Sequence, residues 1–353
     1  MKTKKKWKAW LIVASVLLVL LLAAIMGGSV LIYEQNFHVR YRTASWLSFE
    51  PADFEDLQVE RCYFPSNDGQ MLAGYRYSKP DREIKGLVVL AHGIGAGHNP
   101  YMVLADYFAS NGYYVFAYDC TACDNSGGRS VGGLPQGVID LDHALRYVKT
   151  VPEYADLDVV LFGHSWGAYS CGSVLKYHPD VKAVVMVAGM NRSEDMLAYQ
   201  GRAMIGDFVD LALPFVKVYE GLKFGQYASA TAMDGFASSD AGVMILHSRD
   251  DRTVPASYGY DIFREAYGES DRFRFVWYED RGHSNVYYTP ESVRYRSELN
   301  QEYLSYVEER NAEHSAQIKE EFFGQFLDIR RAYELDRSLM AEILAFFDAY
   351  TAK

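Results

Sequence analysis

The chain has 353 residues, of which 49% are hydrophobic, and its formal net charge is −11. This composition indicates one large folded domain with insertions and argues against a disordered protein. From Asn36 onward, 30 basic side chains stand against 45 acidic ones, a net charge of −15 that argues against nucleic-acid binding.

The N-terminus combines a basic segment, residues 1–8, with 25 uncharged residues, 9–33. An apolar run of this length can span a bilayer as a helix, and Trp7, Trp10 and Tyr33 lie where interfacial aromatic residues are common. A cleaved signal peptide has the same form, and a buried core helix would not need the lysines. The length favours an uncleaved signal-anchor in the cell membrane, with the lysines in the cytoplasm and the body outside it.

Residues 34–56 are interpreted as a connector, with room for one short amphipathic helix, and residues 57–353 as the folded body. In the body, short apolar runs alternate with segments of helical periodicity, which predicts an α/β fold with a doubly wound, mostly parallel sheet. The turn sequence Ser66-Asn67-Asp68-Gly69 predicts a leading hairpin. The eight predicted strands cover residues 57–64, 71–77, 87–91, 113–118, 159–162, 181–187, 243–246 and 272–277.

Two segments interrupt this alternation. Residues 191–240 are rich in Met, Phe, Leu and Tyr, and they predict a helical cap insertion. Residues 289–334 predict a charged helical hairpin, inserted before a last helix at 335–350.

The most informative stretch is Gly163-His164-Ser165-Trp166-Gly167, which lies between a predicted buried strand and a predicted helix at 168–177. Glycine at both ends of this pentapeptide allows a sharp turn that lifts the serine hydroxyl clear of the sheet. The helix N-terminus that follows favours negative charge developing beside the serine. The pattern therefore predicts Ser165 as a nucleophile.

A serine nucleophile needs a base, and the base needs an orienting carboxylate, both on loops after later strands. Asp250 and Asp251 follow the seventh predicted strand, and Asp251 is preferred because it lies closer to the helix that begins after Pro255. His283 follows the eighth predicted strand, where Gly282 allows the chain to turn. We expect Asp251 to orient His283, with Asp250 as the alternative carboxylate.

Two backbone N–H groups are expected to stabilise an oxyanion, one from Trp166 and one from Ile94 in His92-Gly93-Ile94-Gly95. His92 is expected to be structural, and His164 and His247 to lie near the serine turn. The remaining histidines are expected at the surface or in loops: His38, His98, His143, His178 and His314.

Cys120 and Cys123 form a C-x-x-C pair after a strand, but a thioredoxin-like helix start and a second pair of zinc ligands are both missing from the sequence. They are interpreted as loop cysteines, and a disulfide between them stays open for a protein outside the cytoplasm. Cys62 and Cys171 are expected in the core. No cofactor or metal is expected.

With these residues placed, the chain resembles the α/β-hydrolase family, through His92-Gly93-Ile94-Gly95, the Ser165 pentapeptide, Asp251 and Gly282-His283. These motifs occur in the family's order across residues 57–350. Residues 133–142 also resemble exported or membrane-anchored bacterial members similar to serine aminopeptidases and monoacylglycerol-lipase-like esterases. The resemblance implies a Ser-His-Asp triad, and no metal. Residues 289–334 depart from the family pattern.

Three functions follow from these residues. Hydrolysis of carboxylic esters through an acyl-enzyme is preferred, on acyl or lipid-like substrates held under the cap. An aminopeptidase or amidase on the same triad is the alternative, in which Glu194, Asp195 or Asp207 would hold a substrate amine. A non-catalytic binding scaffold is the third. The expected partners are a small ester, lipid or short peptide substrate and the membrane.

Overall fold

The computed structural model describes residues 2–310 and 313–351, with side chains from Lys6 onward. Its centre is an eight-stranded sheet with the order β1-β2-β4-β3-β5-β6-β7-β8. The strands are β1 (Gln58–Pro65), β2 (Met71–Ser78), β3 (Gly86–Ala91), β4 (Tyr113–Tyr118), β5 (Val159–His164), β6 (Ala183–Val187), β7 (Gly242–Ser248) and β8 (Phe273–Tyr278).

The helices of the described chain are α1 (Lys2–Phe37), α2 (Met102–Ser110), α3 (Pro135–Val148), α4 (Trp166–Val174), α5 (Ser193–Ile205), α6 (Phe208–Phe224), α7 (Ala232–Ser238), α8 (Tyr260–Tyr267), α9 (Pro290–Glu309), α10 (Ala316–Phe326), α11 (Ile329–Ala332) and α12 (Arg337–Thr351).

The sheet is antiparallel at its first edge, where β1 pairs with β2 and β2 pairs with β4, and parallel from β4 to β8. Helices cover both faces, with α3, α4 and α8 contributing to one hydrophobic core and α2 and α12 to the other. Because β3 and β7 are buried along their whole length, β3 and residues 243–246 of β7 are continuous apolar runs in the sequence. The predicted doubly wound, mostly parallel α/β sheet is confirmed.

Within the described residues, one helix is long and apolar enough to cross a membrane, and it covers Lys6–Phe37 of α1. The large apolar side chains of residues 11–22 are exposed. The predicted span ends at Tyr33, but Ser29 and Tyr33 are both buried. The exposed apolar surface of α1 is therefore shorter than the predicted span, because the last turns of the helix pack against the folded body.

Both segments that interrupt the alternation are helical. Residues 191–240 contain α5, α6 and α7, and α6 packs against α1. Residues 289–334 contain α9, α10 and α11, and α10 packs on the connector, where Trp46 stacks on Phe323 at 5.7 Å. The connector itself holds two short 3-10 turns, Ser45–Leu47 and Pro51–Asp53, in place of an amphipathic helix.

Candidate active site

Ser165 lies in the turn between β5 and α4, with φ 56° and ψ −116°. A non-glycine residue with positive φ is strained and persists only where its surroundings hold it there. A Cβ at Gly163 would lie 2.4 Å from the carbonyl oxygen of Gly167, and a Cβ at Gly167 would lie 2.0 Å from that of Ala91. The turn can therefore form only with glycine on both sides of the strained serine.

The structure brings Ser165, His283 and Asp251 together from three loops at the carboxyl ends of β5, β7 and β8. His283 Nε2 is 2.8 Å from Ser165 Oγ, and His283 Nδ1 is 2.7 Å from Asp251 Oδ2. The other carboxylate oxygen, Asp251 Oδ1, accepts backbone N–H groups from Thr253 and Val254, each at 2.9 Å. Those two bonds fix the carboxylate so that one oxygen faces the imidazole.

Burial alone would raise the pKa of Asp251, but the hydrogen bond and charge of His283 and the N–H of Val254 lower it below its usual value. The carboxylate is therefore charged at neutral pH, as an acceptor for the histidine N–H must be.

Asp250, the alternative carboxylate, lies elsewhere in the site. Its Oδ1 accepts hydrogen bonds from Ser248 Oγ at 2.6 Å and from the Gly282 backbone N–H at 2.7 Å. Asp250 thus ties the loop that carries His283 to the end of β7, and it does not contact the imidazole.

His164 lies beside the site and links two of its loops. Its Nε2 is 3.1 Å from the His283 carbonyl oxygen and therefore donates, so that Nδ1, 2.8 Å from the Tyr101 hydroxyl, accepts. Tyr101 in turn accepts the Gly93 N–H at 2.9 Å. Burial, and next the neighbouring His283, lower the pKa of His164 to about 3, which keeps the ring neutral. The role of Tyr101 has no local signal in the sequence, because it depends on pairing across 63 residues.

His92 also holds backbone groups. Its Nε2 accepts the Cys120 N–H at 2.9 Å, so Nδ1 carries the proton and donates to the Gly93 carbonyl at 2.7 Å. Burial lowers the pKa of this imidazole. The ring positions the loop that precedes Ile94.

Ser165, Trp166 and Ile94 all line one cavity of about 360 Å³. Trp166 is the first residue of α4, so its backbone N–H is among those that a helix leaves without an internal partner. The cavity walls are apolar and come mainly from α5, α6 and the end of α1. None of the described lining side chains is charged.

Two of the histidines expected at the surface or in loops also hold buried carboxylates. His98 and His178 lie in loops but are buried, and their ring nitrogens are each 2.7 Å from a buried carboxylate, Asp119 and Asp142 respectively. A buried carboxylate requires such partners, since burial without them strongly disfavours its charge. The pairing joins separate elements, which a scan along the sequence does not reveal.

All four cysteines are free thiols in the structure. Cys120, Cys123 and Cys171 are buried, whereas Cys62 is half-buried. Burial raises the pKa of the Cys120 thiol well above its usual value, which argues against a reactive thiolate.

In residues 2–310 and 313–351, no group of three or more His, Cys, Asp or Glu side chains is arranged to hold a metal ion.

A family model described as "Serine aminopeptidase, S33" matches residues 82–240. Among solved structures, an esterase of Pyrococcus furiosus, Pf2001, is 15% identical, with a TM-score of 0.54 over 81% of this chain and 100% of that one. The acylaminoacyl peptidase of Pyrococcus horikoshii is 16% identical, with a TM-score of 0.51 over 80% of this chain and 45% of that one. No curated protein matches this chain in sequence.

The sheet order, the strained serine turn and the solved neighbours define the fold of this chain as the α/β-hydrolase fold. The matching family model supports a serine hydrolase of the esterase-like or peptidase-like kind.

Proposed function

We propose that this chain is a membrane-anchored serine esterase that cleaves carboxylic esters of apolar acyl groups by a Ser165–His283–Asp251 triad. The observation that carries the proposal is the hydrogen-bonded series from Ser165 Oγ to Asp251 Oδ2, at 2.8 and 2.7 Å, on the wall of an apolar cavity. A serine hydroxyl is a weak nucleophile at neutral pH, and this arrangement is what activates it.

In the proposed reaction, Ser165 Oγ attacks the ester carbonyl carbon while His283 Nε2 takes its proton. Asp251 stabilises the imidazolium that forms, and the N–H groups of Ile94 and Trp166 stabilise the oxyanion. The tetrahedral intermediate then collapses, and His283 gives its proton to the departing alcohol. Water, deprotonated by His283, attacks the acyl-enzyme. The bond to Ser165 Oγ then breaks, His283 returns the proton to that oxygen, and the carboxylic acid leaves.

The chemistry of the cavity favours an acyl group over a peptide N-terminus. The acids proposed to hold a substrate amine are paired with other side chains: Glu194 with Lys217 at 3.0 Å and Asp195 with Arg192 at 2.9 Å. Asp207 is 3.6 Å from a guanidinium nitrogen of Arg202 and is highly exposed. An ammonium group would meet no carboxylate on the described cavity wall, whereas an aliphatic chain would meet apolar side chains.

The strained conformation of Ser165 argues against a non-catalytic scaffold, since a binding protein has no use for it.

Ser165→Ala tests the proposal. Turnover of acetyl and butyryl p-nitrophenyl esters should fall by about 10⁴-fold while the protein stays folded. Ser170→Ala is the matched control, because this buried serine on the same helix donates to the Trp166 carbonyl at 2.9 Å and is not part of the triad.

Butyryl and aminoacyl p-nitrophenyl esters measured in parallel decide between the two substrate classes, because they share one leaving group. We expect the butyryl ester to exceed the aminoacyl esters about tenfold in kcat/KM, since the apolar cavity offers no carboxylate to an ammonium group. A preference for the aminoacyl esters would replace the esterase with the aminopeptidase, and full activity of Ser165→Ala would remove the triad.

A further inference from the structure

The last turns of α1 form part of the cavity wall. Ser29, Ile32, Tyr33, Asn36 and Phe37 all line it, and their spacing places them on one face of the helix. The neighbouring residue Leu31 lies on another face and is 59% exposed. The same helix thus carries an exposed apolar stretch, residues 11–22, and a wall of the cavity that contains Ser165.

Specific contacts hold this wall against the cap. The Tyr33 hydroxyl donates to Glu220 Oε1 at 2.7 Å in a buried contact. One turn further on the cap, Lys223 Nζ is 2.5 Å from Glu34 Oε1, which also accepts the Tyr219 hydroxyl at 2.7 Å. A tether needs no such bonds, so they indicate that the position of α1 relative to the cap matters for the cavity.

The two ends of the wall can be distinguished. Phe37 lies at the Ser165 end, because its carbonyl accepts the Gly132 N–H at 3.1 Å and the nearby Leu134 carbonyl accepts Trp166 Nε1 at 2.7 Å. Ser29 lies eight residues earlier on α1, about 12 Å away along the helix. The exposed apolar stretch begins about 10 Å beyond Ser29, at residue 22. A chain bound along α1 would therefore run from Ser165 toward the part of the helix suited to lipid.

The tip of the cap carries further exposed apolar side chains. Met204, Phe208 and Leu211 are 58%, 75% and 51% exposed. A Cβ at Gly132, whose N–H binds Phe37, would lie 3.4 Å from Lys223, so the late turns of α6 lie beside the late turns of α1. Val209 near the start of α6 and Ser29 of α1 line the same cavity, so the cap tip lies on the side of the cavity where α1 continues toward its exposed apolar stretch. Exposed apolar residues grouped in this way suit contact with a lipid surface.

We propose that the end of α1 is the acyl-chain wall of the active site, and that the substrate is a long-chain ester drawn from the same membrane that α1 spans. Ile32 and Ser29 are specificity-determining residues that contact the distal methylenes, while Tyr33, through Glu220, positions the wall. This inference rests on the proposed esterase activity of Ser165, and it adds the acyl-chain length and the route of the substrate.

Ile32→Trp tests the wall, with Leu31→Trp as the matched control on the exposed face of the same turn. Each buried methylene contributes about fourfold to kcat/KM, so blocking contact with two of them should lower the ratio of palmitoyl to acetyl ester turnover about 15-fold. The control should keep the wild-type ratio. Equal ratios in the two tryptophan variants would overturn the proposal.

A second pair of variants serves if the tryptophan overpacks the cavity and the protein fails to fold. Ile32→Ala removes apolar contact and should lower the same ratio about fourfold or more, whereas Leu31→Ala should not change it. Unchanged ratios in this pair would also contradict the proposal. The esterase activity is tested separately with the acetyl ester. Loss of acetyl ester hydrolysis in Ser165→Ala would support the esterase activity of Ser165, and hydrolysis that persists in this variant would refute it.

The route is tested with the full chain in phosphatidylcholine vesicles. Palmitoyl ester placed in the same vesicles should be cleaved at least tenfold faster than ester supplied in separate vesicles, and detergent should remove the difference. Equal rates before detergent is added would show access from water and would overturn the membrane route.

Discussion

Glu220 on α6 is a carboxyl group buried between the cap and α1, and it makes the stability of that contact depend on pH. Burial, and next the nearby Glu194, raise its pKa from 4.5 to about 7, although the hydrogen bond from Tyr33 and the charge of Lys223 oppose the shift. Because the folded-state pKa is higher than the unfolded one, folding favours the protonated form. The stability contributed by that proton is fully present below pH 4.5 and is lost as pH rises through about 7.

The size of the effect follows from the shift. At 1.36 kcal/mol per pH unit, a rise from 4.5 to about 7 corresponds to about 3 kcal/mol, most of it lost between about pH 5 and pH 8. For a chain of this length the entropy of unfolding is about 0.7 kcal/mol per kelvin, so the melting temperature should fall by about 4 °C from this group alone.

Glu220→Gln isolates this contribution, because the amide oxygen can still accept the Tyr33 hydroxyl but does not ionise. Differential scanning calorimetry of both proteins in the same detergent, at a series of pH values, gives the comparison. We expect the wild-type melting temperature to fall about 4 °C further than that of Glu220→Gln over this range. Parallel curves for the two proteins would refute the reasoning, since the buried carboxyl would then titrate as it does in the unfolded chain.

Three further predictions concern the carboxylate of the triad, the packing of two glycines and the orientation of the chain in the membrane. Asp251→Asn should lower kcat for ester hydrolysis by about 10⁴-fold, because it favours the wrong histidine tautomer. Asp250→Asn keeps an acceptor oxygen and should lower kcat less than about tenfold; the reverse order in steady-state kinetics would reassign the carboxylate. Gly235→Ala should destabilise the protein by about 1–3 kcal/mol, because its Cβ would lie 1.9 Å from a backbone oxygen of α4. Gly221→Ala on α6 has open space around it and should be neutral or stabilising; equal denaturation midpoints of the two variants would contradict this. Protease added to intact cells or spheroplasts should digest the body and spare an N-terminal tag; a body protected until the membrane is broken would reverse the orientation, and a soluble body beginning near Ser29 would indicate a cleaved signal.

The parts of the structure that sequence reasoning anticipates are those with a local cause. The apolar runs of β3 and β7 mark strands buried on both faces, because such strands need no polar residue. The turn at Ser165 is visible because its glycines are needed for steric reasons that act within a few residues. The choice of Asp251 over Asp250 likewise depends on position relative to the next turn.

The parts that sequence reasoning does not reach depend on pairing between distant segments. His98 and His178 are buried because Asp119 and Asp142 need partners, and neither acid is adjacent to its histidine in the sequence. Hydropathy identifies α1 as apolar but does not show that its last turns pack on α6. The contact is set by Tyr33 and Glu220, which are 187 residues apart.

The most direct test of the account is the site of covalent labelling by a fluorophosphonate, determined by mass spectrometry of peptides from the full chain. We expect one adduct, on Ser165 Oγ, with labelling lost in Ser165→Ala and slowed in Asp251→Asn, because among the described residues only this hydroxyl is hydrogen-bonded to His283. An adduct on another residue, or undiminished labelling of Ser165→Ala, would contradict it.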